Sequence, residues 1–272
     1  MESEARDASL RDLGADAEGE EAITAWTRLL EAVEDDEEAI EALQTLYGEA
    51  GDMEALRPHL ARYGHVATPA GIERLFELGR ICEDYLDDLD AAVSAYERIL
   101  RAVPAHGQAA DRVVGIYETR ETFDLAKKRA DAHLEALEGP AQIPWIMRGM
   151  DLTLAAGAGD KALAPYILAG MALTQNDGIF GARAENAIRK GADLHDFVDA
   201  WRAALDVTVD ASARTALGCR IGGWLATAGE QKEAYSAYTQ ALEASPADEA
   251  ALRGAIAVAP AGACDGLRET LL

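Results

Sequence analysis

The chain has 272 residues, 49% of them hydrophobic, and a formal net charge of −24. That balance disfavours nucleic acid and anionic membrane surfaces, which need neutralising Lys and Arg, and no apolar run approaches the roughly eighteen residues of a membrane span. Cys82, Cys219 and Cys264 are far apart and odd in number, which excludes a readable disulfide framework or Cys-x-x-Cys motif and points to a reducing compartment. The amino terminus shows no basic region followed by an apolar core, so the expected location is cytoplasmic, without membrane insertion.

In chain order, residues 1–20 come first, an acidic stretch with few large apolar side chains beyond Leu10 and Leu13. Such a segment is predicted to be disordered or frayed. Residues 1–54 carry a net charge of −15, leaving −9 for the remainder. Two readings of this acidity stand: it attracts a partner with a basic segment, or it reflects a compositional bias that also favours arginine over lysine and keeps the chain soluble.

From residue 21 to 272 alanine and leucine dominate, and apolar residues recur three and four apart between polar breaks, the pattern of amphipathic helices joined by short turns. A small or apolar residue with a large or aromatic one four positions later recurs as Ala22/Trp26, Ala55/His59, Ala92/Tyr96, Ala126/Ala130, Ala162/Tyr166, Phe197/Trp201, Ala234/Tyr238 and Leu267/Leu271, with His59 and Ala130 marking degenerate copies. The intervals run from 33 to 37 residues with a mean of 35, so one unit is copied along the chain. The clearest copy holds Gly222, Gly229, Ala234, Tyr238, Ala241 and Pro246; the next clearest holds Leu78, Gly79, Ala92, Tyr96, Ile99 and Pro104. A looser variant runs from Val114 through Tyr117 to Phe123 and Ala126.

A helix-turn-helix unit of this length with these anchors resembles the tetratricopeptide repeat, over the full chain by period and in two units by motif. The resemblance implies an all-α fold, a right-handed α-solenoid of about seven to eight helical hairpins, continuous over 21–272. Glycine in a first helix costs roughly 1 kcal/mol relative to alanine, so its recurrence predicts backbones that approach closely there. Each hairpin alone leaves an apolar face open, and stacking the next one covers it.

The resemblance also implies a concave groove lined by the first helices of successive units. Candidate partner-binding residues there are Ala216, Cys219, Gly223 and Ala226 in the clearest unit and Met147, Asp151 and Leu154 in the unit before Ala162. Trp145 and Trp224 lie in first helices outside the strict anchors, where either buried packing or exposure to the groove is open; Trp26 and Trp201 occupy anchor positions and are expected in the core. The lining is small and apolar, without the Lys and Asn set that holds a terminal carboxylate in some tetratricopeptide clamps.

Catalytic signatures are missing: there is no phosphate loop, dinucleotide fingerprint, HExxH, GxSxG or calcium-loop spacing. No cofactor, metal or enzymatic activity is predicted. His59 and His133 fall on repeat anchors and are expected to pack or hydrogen-bond rather than ligate a metal. Asp84, Asp87, Asp88 and Asp90 are expected to form a solvated turn that caps the next helix rather than a cation site. Cys82 and Cys219 are expected as small buried hydrophobes. The chain stops on Leu271 and Leu272 where a polar cap is normal, so a second copy, a folded-back helix or further chain is expected to cover that end. The function predicted is a scaffold or adaptor that binds another protein through the groove or an end surface; the alternative is a regulatory or sensor module that self-associates or binds a peptide to control a separate enzyme.

Overall fold

The structure, a computed structural model, describes residues 2–174 and 177–260, and among them are fifteen α-helices and no strand. The chain divides into two compact units, Met1–Arg120 and Glu121–Leu272. The polar breaks read in the sequence are helix caps. Asp36, Asp52, Asp88, Asp210 and Asp248 each accept a hydrogen bond from the backbone N–H three residues on, satisfying a donor the helix leaves open. Gly229 ends its helix at φ 86°, a left-handed turn that favours glycine.

The first unit contains α1 (Glu2–Asp16), α2 (Gly19–Ala32), α3 (Glu37–Ala50), α4 (Met53–Tyr63), α5 (Pro69–Asp84), α6 (Leu89–Ala102) and α7 (Gly107–Thr119). Each helix packs on the next, as an array of hairpins requires. The first residues depart from the expected fraying, since α1 is helical and lies against α2. Its hold is made of small contacts that a search for large apolar residues overlooks. Leu10 reaches the Trp26 core, Gly14 lies under the Trp26 ring, and Arg11 pairs with Asp36 and Glu38.

His59, on α4, is buried between the rings of Tyr47 and Tyr63, and its Nε2–H donates to the Ile40 carbonyl at 3.0 Å. Burial lowers its pKa, because the charged imidazolium loses hydration there. A histidine whose folded pKa is depressed adds stability above its unfolded pKa of about 6.5, and that stability is lost as pH falls through the folded pKa. The melting temperature of the full chain is therefore expected to fall between pH 7 and pH 5.5, and to fall less in His59→Gln, which keeps an N–H donor without the titration. Equal pH slopes in the two proteins would overturn this account.

The second unit contains α8 (Phe123–Leu134), α9 (Ile143–Ala155), α10 (Ala164–Thr174), α11 (Asp177–Arg189), α12 (Leu194–Val207), α13 (Ala211–Ala228), α14 (Gln231–Ala244) and α15 (Glu249–Val258). Its core runs from Ile146 and Met150 through Ile167, Phe180 and Trp201 to Leu225 and Ala234. The anchor pairs fall on second helices, with Ala92 and Tyr96 on α6, Ala126 and Ala130 on α8, and Ala234 and Tyr238 on α14. Ala162 is the exception: it is exposed in a 3-10 turn, Asp160–Leu163, while its partner Tyr166 is buried. The pair Leu267/Leu271, Leu272 and Cys264 lie outside the described residues.

Three glycines of the first helices do a different job from the one expected: they seat aromatic rings rather than backbones. A Cβ at Gly79 would lie 2.4 Å from the Tyr96 ring, one at Gly149 2.4 Å from the Tyr166 ring, and one at Gly222 2.9 Å from the Tyr238 ring. At Gly218 the backbone of the next helix does come close, and a Cβ there would stand 3.2 Å from the Ala237 carbonyl. The ring hydroxyls are then held at the hairpin's edge, Tyr96 donating to Glu83 at 3.0 Å and Tyr166 to Asp131. Three hairpins, α5/α6, α9/α10 and α13/α14, are thus keyed by a ring against a glycine.

Candidate functional site

On α11, Asp177, Gly181 and Glu185 stand one turn apart and share a face. The Arg220 guanidinium of α13 lies flat on Gly181, where a Cβ would come within 2.6 Å of its Cζ, and pairs with Asp177 and Glu185 on either side. Asp177 also accepts a hydrogen bond from Trp201 Nε1 at 2.8 Å, which ties α12 to the same point. Two carboxylates spaced around a glycine thus fix three helices to one another.

Above this junction α11, α12 and α13 enclose an open cavity of about 530 Å³, within the 300–1,000 Å³ range of ligand pockets. Its apolar wall comes from Ile188, Leu194, Gly223, Trp224 and Ala228. The Trp224 indole is 8% exposed and stacks edge-to-face on Trp201, centroids 5.0 Å apart, so the wall is rigid. Its Nε1–H has no hydrogen-bond partner among the described residues, a deficit of about 1–3 kcal/mol for a buried donor. Cys219 lines the same cavity, and burial, with the nearby charge of Asp248, raises its thiol pKa to about 11. It is a neutral, weakly polar surface at neutral pH and not a nucleophile.

Three of the nine candidate residues, Cys219, Gly223 and Trp224, therefore meet in one place. Ala226 is half-buried against the core, and Ala216 is exposed outside the cavity. The α9 candidates form no part of it. Trp145 packs edge-on against His133 at 4.4 Å with Arg148 over its ring, Met147 is half-buried against the core, and Leu154 is 42% exposed. Asp151 is exposed, 3.8 Å from Arg183 of α11. Sequence reasoning missed Ile188, Arg189 and Leu194, which sit on helices whose hairpin lacks the glycine-aromatic motif. The available signal was the Asp177, Gly181, Glu185 spacing.

The acidic turn before α6 acts as a cap. Asp88 accepts from the Ala91 N–H at 3.1 Å and pairs with Arg57, and Asp84 lies 3.5 Å from Arg112. Among the described residues no group of three or more His, Cys, Asp or Glu side chains could hold a metal ion, and no helix is long and apolar enough to cross a membrane.

No protein-family profile and no curated protein matches the chain in sequence. Among solved structures, MamA protein is similar at 16% identity and a TM-score of 0.41, over 64% of this chain and 95% of that one. A tetratricopeptide repeat protein from Parabacteroides merdae is similar at 14% identity and a TM-score of 0.39, covering 95% of this chain and 99% of its own. The complex of Naa15/Naa10 bound to HypK-THB contains a chain similar at 12% identity and a TM-score of 0.45, over 95% of this chain and 39% of that one. The tetratricopeptide-like character rests on the hairpins themselves, with their period, caps and ring-on-glycine contacts.

Proposed function

We propose that this chain is a protein-interaction scaffold or adaptor that holds a partner on the α11–α13 face of its second unit. The observation that carries this reading is the open apolar cavity of about 530 Å³ where Cys219, Gly223 and Trp224 converge. A rigid aromatic wall and a floor of small residues describe a binding surface. Leu154 and Asp151, exposed on α9, are proposed as outlying contacts. A reducing, cytoplasmic setting accords with free thiols at Cys82 and Cys219.

Gly223 supplies the test, because there is room for change at that point. A Cβ there meets only the Tyr238 hydroxyl, at 3.7 Å, an ordinary contact. Gly223→Trp is therefore expected to fill the cavity while the helix keeps or gains stability, by up to about 1 kcal/mol for replacing a mid-helix glycine. Affinity capture from the native lysate should recover a stoichiometric partner with the wild-type chain and lose it with a Gly223→Trp chain of unchanged melting temperature. Equal recovery by both would remove this face from consideration.

A further inference from the structure

Net charge suggests a basic partner for this protein, but the charges around the cavity do not add up to an acidic site. Its lining holds three ionised side chains, Glu185, Arg189 and Arg220. Glu185 is already paired with Arg220, which Asp177 holds from beneath. Arg189, in the last turn of α11, is exposed and makes no ion pair among the described residues. The unspent charge at the mouth is a guanidinium, a planar donor suited to a carboxylate. The Trp224 indole N–H, also without a hydrogen-bond partner among the described residues, is a buried donor. The Thr227 hydroxyl donates to the Gly223 carbonyl at 2.9 Å, which leaves its oxygen only to accept.

We propose that the cavity takes a peptide segment of a partner protein in which a large apolar side chain stands beside an Asp or Glu. The apolar side chain lies on Ile188, Leu194 and Trp224, and the acidic one reaches Arg189. This inference rests on the scaffold reading and adds the partner's chemistry to it. Local charge decides here because exposed charges beyond about 8–10 Å are screened at physiological salt, so the acidic remainder of the chain counts for little at the mouth. The volume holds more than one large side chain, which favours a peptide with neighbouring contacts over a single buried residue.

Selection of displayed random peptides on the full wild-type chain, with counter-selection on Gly223→Trp, tests this directly. The expected result is enrichment of an aromatic or long aliphatic residue within two positions of Asp or Glu. A synthetic copy of the selected peptide should bind Arg189→Glu about tenfold more weakly at low salt, the effect shrinking as salt rises. Cavity-dependent peptides enriched in Lys or Arg would overturn the acidic-partner inference and leave the scaffold reading standing, as would peptides indifferent to Arg189→Glu. Recovery of no peptide that distinguishes wild type from Gly223→Trp would overturn both.

Discussion

Gly222→Leu is expected to destabilise the α13–α14 hairpin by about 2–4 kcal/mol, at or above the usual cost of overpacking a core. The Tyr238 ring leaves no room for a side chain at Gly222, where even a Cβ would stand 2.9 Å from the ring. The ring has little freedom to retreat, because on its other side a Cβ at Gly254 of α15 would come within 2.3 Å of it. Tyr238 is thus clamped between two glycines, and a leucine on one side forces α13 and α14 apart or expels the ring. Hydrogen exchange followed by mass spectrometry is the local readout, with faster exchange expected across α13 and α14. The double variant Gly222→Leu/Tyr238→Ala should recover part of the loss, since removing the ring removes the clash; contacting residues of this kind are non-additive. Full additivity of the two changes would show that ring and glycine do not oppose each other.

The same contact explains what was legible in advance. A ring-on-glycine key leaves two marks in a sequence, a glycine in one helix and an aromatic residue some seventeen positions later, and both survive in α5/α6 and α13/α14 through Gly79/Tyr96 and Gly222/Tyr238. Period and fold class follow from those marks. What the glycines touch does not, because the cost of a helical glycine says only that something comes near. The α11 face was illegible for another reason: Arg220 is 35 positions from Glu185 and 43 from Asp177, and nothing local in sequence joins a cation to carboxylates that distant. The cavity was legible on the side where α13 repeats its pattern, giving Cys219 and Gly223 four apart, and hidden on the side made by Ile188, Arg189 and Leu194. Helix α1 escaped notice because Gly14 and Arg11, rather than a large apolar stripe, attach it.

Ala234→Glu is the second large effect expected, again about 2–4 kcal/mol, by a different mechanism. Ala234 has no exposed surface and belongs to the core cluster that joins Trp201, Ile221 and Leu225. A glutamate there must either bury its charge, bind a proton, or push α14 away from α13, and each route costs stability. Ser236→Glu is the matched control, since it adds the same charge two residues along α14 at an exposed position and should change the melting temperature little. Burial raises a carboxyl pKa, so the folded state of the core variant resists the charged form and the gap between the two variants should widen as pH rises above about 4.3. It should narrow as pH falls toward that value, where the unfolded chain begins to bind the same proton. A gap that is absent at neutral pH would mean that Ala234 does not face the α13 groove, and the register of the whole hairpin would have to shift; a gap indifferent to pH would assign the loss to crowding rather than to charge.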